Sequence, residues 1–324
     1  MAIAICGSIA TDHLMRFKGK FSEQLLAEHL HHISLSFLVE DLVVRRGGVG
    51  GNISYGLGVL GASPMLVGAV GADFDDYREW LTSNGVDCRG VRTSTSKHTA
   101  RFMCTTDDDM AQLASFYVGA MADARQISLS DLADEYGQPD LVLIGADDPV
   151  AMTQHSQSCR DLGIPFAADP SQQLALLDGD QIRTLIDGAE YLLTNEYEWG
   201  LLQKKTGLGP DEIAGMVTTR VTTLGGDGAD IVGKDGKTVH VDVVPATEKV
   251  DPTGVGDGFR AGFLFAQQKG LSFERSAQLG ALIATSVLET VAPQDWTWNR
   301  ETALARLEET YGADAAQEIG AIVP

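Results

Sequence analysis

The chain has 324 residues, 44% of them hydrophobic, and a formal net charge of −21 from 24 basic and 45 acidic side chains. That much apolar material in a chain of this length builds a sizeable core and makes no case for disorder. So acidic a surface repels a phosphate backbone, so no nucleic-acid partner is expected. No uninterrupted apolar run reaches about 18 residues, so no membrane span is expected. The opening MAIAICGSIATD lacks a basic n-region, and its apolar run is broken by Gly7 and followed by Asp12. It reads as a strand rather than a signal peptide. Cys6, Cys88, Cys104 and Cys159 are scattered and form no CxxC pair. Reduced thiols in a cytoplasmic protein account for them better than disulfides or zinc do.

Short apolar runs then alternate with amphipathic stretches. MAIAIC, PMLVGAV, LVLIGA, PFAAD, EYLLTN and RVTTL read as buried strands, and 73–84, 149–162 and 180–188 as helices between them. The stretches 256–269, 272–289 and the chain from 301 onward make the last third helical. This rhythm predicts an α/β fold, a mostly parallel sheet with helices on both faces. Ligands of such sheets sit beyond the carboxyl ends of the strands, which singles out Asp12, Asp169 and Asn195. Residues 15–46 and 97–118 alternate in the strand manner instead, and the second stretch brackets the acidic turn Asp107-Asp108-Asp109 as a hairpin would. The expected organisation is a large α/β domain of 1–14, 47–96 and 119–324, with 15–46 and 97–118 as a small discontinuous β lid. His29, His31 and His32 cluster in the first lid segment, where packing accounts for them better than metal binding does.

The strongest chemical signal is Asp251-Pro252-Thr253-Gly254-Val255-Gly256-Asp257, which runs straight into GFRAGFLFAQQ. Glycines at a helix start expose backbone N–H groups, and the helix dipole adds positive potential, so the segment can hold an anion. A carboxylate in the same turn can take a proton from a hydroxyl held nearby, which is what phosphoryl transfer to an alcohol needs. On spacing alone an ordinary Gly-rich loop reads equally well. A second segment, Gly47-Gly48-Val49-Gly50-Gly51-Asn52, allows close backbone approach to a ligand, and Asn52 offers both donor and acceptor; a tight strand-to-helix turn competes with that reading. It is not the dinucleotide fingerprint, because Ile53 stands where the last glycine is required. Gly236-Lys237-Thr238 ends like a P-loop, but Ile231 occupies the position of its first glycine, and KDGKTVH reads as a hairpin turn.

With its two glycine motifs in this order, the chain resembles the ribokinase (PfkB-type) carbohydrate and nucleoside kinases. The 47–52 segment looks like their N-terminal signature and 251–257 like their DTxGAGD signature, with Pro252 and Val255 in place of commoner residues. Asn195-Glu196-Tyr197-Glu198 is similar to their NxxE motif, Thr223-Leu224-Gly225-Gly226-Asp227-Gly228 to their nucleotide loop, and Asp12 to the aspartate that grips sugar hydroxyls. The resemblance implies Asp257 as general base and the amides of Gly254, Val255 and Gly256 as an anion hole. It implies ATP as co-substrate, bound by Asn195, the loop 223–228 and Gly256, and Mg²⁺ held through water by Glu198. A monovalent cation such as K⁺, which many relatives use near the C-terminal motif, stays open. A homodimer through the lid sheets is expected, since their edges are otherwise exposed.

Within that family the chain looks most like the bacterial, actinobacterial-type adenosine kinases, through GSIATDHLMRF, ISLSFLVEDLV, HTARFMCTTDDDMAQLASFY and AADPSQQL. Adenosine is accordingly the expected acceptor, with a sugar such as ribose or fructose as the alternative. A purine would stack between or against Phe102 and Phe116. Ser36, Gln172 and Gln173 would bond the base edge, and Ser8, Asp12, Gly48 and Asn52 the ribose hydroxyls. Phe102 and Phe116 as lid or dimer core, and 172–173 as a mere helix start, are the competing readings.

Overall fold

A computed structural model describes residues 3–24 and 35–324. The strands in chain order are β1 (Ile3–Cys6), β2 (Ala10–Phe17), β3 (Val39–Gly47), β4 (Met65–Val70), β5 (Val91–Thr93), β6 (Ala100–Thr106), β7 (Gln112–Tyr117), β8 (Leu141–Ile144), β9 (Phe166–Ala168), β10 (Tyr191–Asn195), β11 (Thr219–Thr223), β12 (Ala229–Gly233) and β13 (Thr238–Val241). They form a nine-stranded sheet in the order β13-β12-β11-β10-β9-β8-β1-β4-β5 and a separate four-stranded sheet in the order β3-β2-β6-β7. In the large sheet β5, β4, β1, β8, β9, β10 and β11 run parallel, and β12 and β13 close one edge as antiparallel strands.

Both faces of the large sheet are covered, which is why its central strands are apolar throughout and do not alternate. Ile3 and Ile5 join Phe259, Phe263 and Leu282, from the helices Val255–Gln268 and Phe273–Leu288, in one core. Ala4 and Cys6, pointing the other way, pack with Met152, Cys159, Ile182 and Leu202 from helices on the opposite face. The expected strands all form, and so do the hairpins at 107–109 and 236, the latter with Gly236 at φ 75°. Helices end within a residue or two of expectation at several points: 73–84 becomes Asp75–Ser83 and 180–188 becomes Gly179–Ile186, capped by Asp178. The stretch from 301 is two helices, Arg300–Tyr311 and Ala313–Gly320, divided at Gly312, whose φ of 88° cannot continue a helix. All four cysteines are free and buried. No helix among the described residues is long and apolar enough to cross a membrane. The expected cluster of His29, His31 and His32 lies outside the described residues.

Two expectations need correction. Asp12 does not end a strand of the large sheet. The chain leaves that sheet after Cys6 and enters the small one at Ala10, so the expected boundary at residue 14 falls in the middle of β2. The reason lies at Gly7, where a Cβ would come within 2.9 Å of Gly50 Cα, and where Ser8 instead bonds across to Ala146. The glycines of 47–52 likewise make room mainly for the protein's own backbone. A Cβ on Gly50 would sit 2.6 Å from Gly7 O, one on Gly48 2.5 Å from Ser8 O, and one on Gly51 2.2 Å from the Tyr77 hydroxyl. Gly48 has φ 89° and no side chain to cap the helix Val49–Val59. Ser8 does it from the neighbouring loop, its Oγ accepting from Val49 N (3.1 Å) and its carbonyl from Gly50 N (2.9 Å).

This packing makes opposite predictions for two helical glycines. Gly50→Ala drives a methyl group into the Gly7 backbone and lowers stability by about 1–3 kcal/mol. Gly200→Ala, where a Cβ meets nothing within 4 Å, raises it by roughly 0.5–1 kcal/mol. Denaturant unfolding of the two variants checks both signs; equal midpoints would contradict the backbone-contact argument.

Candidate active site

A cleft of about 650 Å³ lies between the carboxyl ends of the large-sheet strands and one face of the small sheet. Its floor comes from successive parallel strands: Ser8 after β1, Ala146 after β8, Ser171, Gln172 and Gln173 after β9, and Asn195 at the end of β10. Strand order reverses at β1, which lies between β4 and β8, and a parallel sheet leaves its crevice at such a point.

The roof is a single row across the small sheet. Arg45 of β3 is registered with Asp12 of β2, Asp12 with Phe102 of β6, and Phe102 with Phe116 of β7. Directly opposed residues share a face, and all four line the cleft. Phe102 and Phe116 therefore stand side by side, so a flat ring can rest against them but not between them. Burial raises the pKa of Asp12, with the nearby Arg45 opposing the shift.

The segment 251–257 closes one end. Gly254 adopts φ 78° and is the N-cap of the helix Val255–Gln268. A Cβ there would lie 2.6 Å from Pro293, so both conformation and space require glycine. The N–H groups of Gly256 and Asp257 in the first turn have no intrahelical acceptor. Asp257 is half-buried behind them, and its Oδ2 accepts from Asn52 Nδ2 at 2.8 Å. Burial pushes this carboxyl up to about 7, against the pull of Arg260 and of the Asn52 hydrogen bond. The Asn52 amide cannot flip freely: its Oδ1 accepts from Gln294 Nε2 (2.9 Å), and Gln294 Oε1 accepts from Trp80 Nε1 (3.1 Å). At the front of the segment, Asp251 holds Thr253 N (2.9 Å) and is bridged to Arg45 of the small sheet at 3.0 Å.

Arg260 joins two carboxylates under this helix start, Asp169 and Glu198. Its Nε lies 2.5 Å from Asp169 Oδ2, its Nη2 donates to Asp169 Oδ1 at 2.7 Å, and Nη2 is 3.8 Å from Glu198. Asn195 and Glu198 form a reciprocal capping box, Asn195 N donating to Glu198 Oε2 and Glu198 N to Asn195 Oδ1, both at 2.8 Å. The NxxE spacing is thus a helix cap that also fixes Glu198 at the edge of the cleft. Glu198 is raised by burial, with Arg260 opposing and Asp169 adding to the rise.

Of the residues singled out from sequence, Ser8, Asp12, Gly48, Asn52, Phe102, Phe116, Gln172, Gln173, Asn195, Glu198, Gly254, Gly256 and Asp257 line one cleft. Ser36 is exposed and is not among the lining residues. Val255 is also off the lining, and its N–H reaches Pro252 O at 3.4 Å. The loop 223–228 lies beside the cleft, with Thr223 registered to Asn195, and a Cβ on Gly225 or Gly226 would meet only open space. Sequence reasoning missed Arg260 and Gln294. A lone charge inside the apolar run GFRAGFLF marks Arg260 in retrospect, whereas Gln294, buried and distant in sequence from Asn52, carries no local signal.

The arrangement can hold an alcohol against Asp257, an anion on the helix N-terminus and a nucleotide along the strand-end edge. Comparison with known proteins agrees. The nucleoside kinase of Burkholderia thailandensis, solved with inosine, superposes with a TM-score of 0.82 at 35% identity, covering 96% of this chain and 98% of that one. A nucleoside kinase of Methanothermobacter thermautotrophicus is 29% identical over 272 residues, 82% of this chain and 85% of its own. Ribokinase from Thermotoga maritima, at 20% identity, shares the fold with a TM-score of 0.76 over 95% of this chain and 99% of that one. The family model described as pfkB family carbohydrate kinase matches residues 23–299. The chain therefore belongs to the pfkB family of carbohydrate kinases, and it is a ribokinase-like α/β enzyme that transfers a phosphoryl group from ATP to an alcohol.

Proposed function

We propose that the protein phosphorylates the ribose 5′-hydroxyl of adenosine to give AMP. The observation that carries this reading is the roof row, in which two adjacent aromatic faces, Phe102 and Phe116, continue the line begun by Arg45 and Asp12. A purine resting on the two rings places its ribose under Asp12, whose carboxylate accepts from sugar hydroxyls, and points its 5′-oxygen toward Asp257. Gln173 supports the same pose: it lines the cleft, is 7% exposed, and its buried Oε1 has no hydrogen-bond partner. Such an orphaned acceptor suits an exocyclic amino group. A sugar alone would leave the aromatic row uncovered.

In the reaction, Asp257 takes the proton of the 5′-hydroxyl as its oxygen attacks the γ-phosphorus in line, and the bond to the β-phosphate oxygen breaks. The amides of Gly256 and Asp257 hold the charge on the phosphoryl oxygens. The carboxylates of Asp169, Glu198 and Asp257 outnumber the single Arg260 charge among them, a local excess that suits a divalent cation. No group of three or more His, Cys, Asp or Glu among the described residues could hold a metal directly. Mg²⁺ would therefore be held through water by Glu198 and by the substrate's phosphates, as such sites usually are, and would neutralise phosphate charge when bound. The small sheet acts as a lid that excludes water from the cleft. Its edge strands leave Leu42, Val44, Leu113 and Tyr117 exposed, and a homodimer pairing two lids would cover them.

Turnover of ATP with Mg²⁺ against adenosine, inosine, guanosine, ribose and fructose tests the assignment. Adenosine is expected to give the highest kcat/KM, and a sugar in first place would refute the role of the aromatic row. Phe102→Ala should cost about 1–3 kcal/mol of nucleoside recognition, roughly 5- to 150-fold in kcat/KM, with little effect on the KM for ATP.

The state of Asp257 sets the pH dependence. The base must be ionised, so kcat/KM should rise with pH to a plateau above about 7, and Asp257→Asn should lower it by about 10²–10⁴-fold. The folded protein binds this proton more tightly than the unfolded chain does. The carboxyl therefore favours folding at low pH and costs stability as pH rises through about 7. Asp257→Asn should accordingly melt at a higher temperature than wild type at pH 8; a lower one would contradict the burial argument. Size-exclusion chromatography across a wide concentration range tests the homodimer, which monomeric elution throughout would exclude.

A further inference from the structure

Arg260 is more buried than an ion-pair partner needs to be and only partly used by that pair. It lies one turn beyond Asp257 on the same helix and is 6% exposed. Asp169, wholly buried, takes Nε and Nη2 in a two-pronged contact, with Nη2 also 3.8 Å from Glu198. The remaining nitrogen, Nη1, has no hydrogen-bond acceptor among the described residues. It sits 2.7 Å from where a Cβ on Gly256 would be, so the absence of a side chain at Gly256 is what gives it that place. Gly256 and Arg260 both line the cleft.

Burying a guanidinium is costly, and an apolar side chain of similar volume usually serves a core as well or better. A fork clamped on one side, with the Nη1 donors left free beside two unpaired helix amides, fits a negative oxygen arriving at that point. We infer that Arg260 Nη1 binds the phosphoryl group during transfer, as a cationic donor built into the anion hole and held in place beforehand by Asp169. The inference rests on the kinase reading above. The oxygen–phosphorus bond forms at the acceptor and breaks at the β-phosphate bridge, and Asp257 receives the proton. Arg260 keeps its own protons throughout and contributes only charge and hydrogen bonding. Asp169 is then a positioning residue, acting through Arg260. The charged groups facing Arg260 are Asp169, Glu198 and Asp257.

The test compares wild type with Arg260→Met, Arg260→Ala and Arg260→Lys. Arg260→Met should lower kcat at least 100-fold at its own pH optimum and leave ADP affinity within about threefold, because ADP lacks the transferred group. Added guanidinium should restore at least tenfold of the activity of Arg260→Ala and nothing in Asp257→Asn. A loss recovered fully by raising the pH would show that Arg260 only tunes Asp257 and would overturn the inference, as would kcat within fivefold of wild type. Should the methionine and alanine variants fail to fold, Arg260→Lys decides. One ammonium cannot hold Asp169 and reach the anion hole together, so kcat should fall at least tenfold, and undiminished turnover refutes the contact. Wild type inert with ATP and every alcohol in the panel would instead remove the kinase reading itself.

Discussion

A carboxylate largely withdrawn from water has to be held there, and Asp257 is held by one direct hydrogen bond, one neighbouring charge and one group acting through its partner. Asn52 donates to it from the start of one helix, Arg260 lowers its pKa from the next turn of its own helix, and Gln294 fixes the Asn52 amide from behind. Removing any of these leaves a buried polar group without a partner, which costs more than the contact itself contributes. The glycine contacts follow from the same need. Asn52 can reach Asp257 because Gly7 and Gly50 let the helix Val49–Val59 press its backbone against the end of β1. The N-terminal and C-terminal signatures are thus two halves of one support, joined by a 2.8 Å hydrogen bond.

The fold itself was largely legible. Parallel strands covered on both faces read as short apolar runs, and helices between them read as amphipathic stretches, because burial dictates both patterns locally. The cleft residues near glycine motifs were legible for a related reason: a positive φ or a close approach demands glycine, and that demand is visible in one dimension. Gly254 is such a case, since both its φ of 78° and the nearby Pro293 exclude a side chain.

What stayed hidden depends on contacts between distant parts of the chain. Ser8 lines the cleft, but its hydroxyl also caps the helix Val49–Val59, a role created only by the meeting of two loops. Asp12 read as the end of the first strand because sequence shows a continuous run and cannot show a strand changing sheets between Cys6 and Ala10. The NxxE spacing also makes a capping box, in which Asn195 and Glu198 satisfy each other's backbone. Gln294 had no chance of detection, because nothing around Pro293 and Asp295 announces that its amide orients a side chain from the other end of the protein.

The fixed amide of Asn52 has a stereochemical consequence. Its Oδ1 is committed to Gln294, so its Nδ2 can only donate, and it occupies Oδ2 of Asp257. One acceptor site of the carboxylate is thereby filled, on the side facing Asn52, and the open sites lie away from that amide. A polyol offers several hydroxyls of nearly equal intrinsic reactivity. An acceptor narrowed in this way favours a hydroxyl arriving from the open side, so an amide can bias the choice among them by filling one face of the carboxylate.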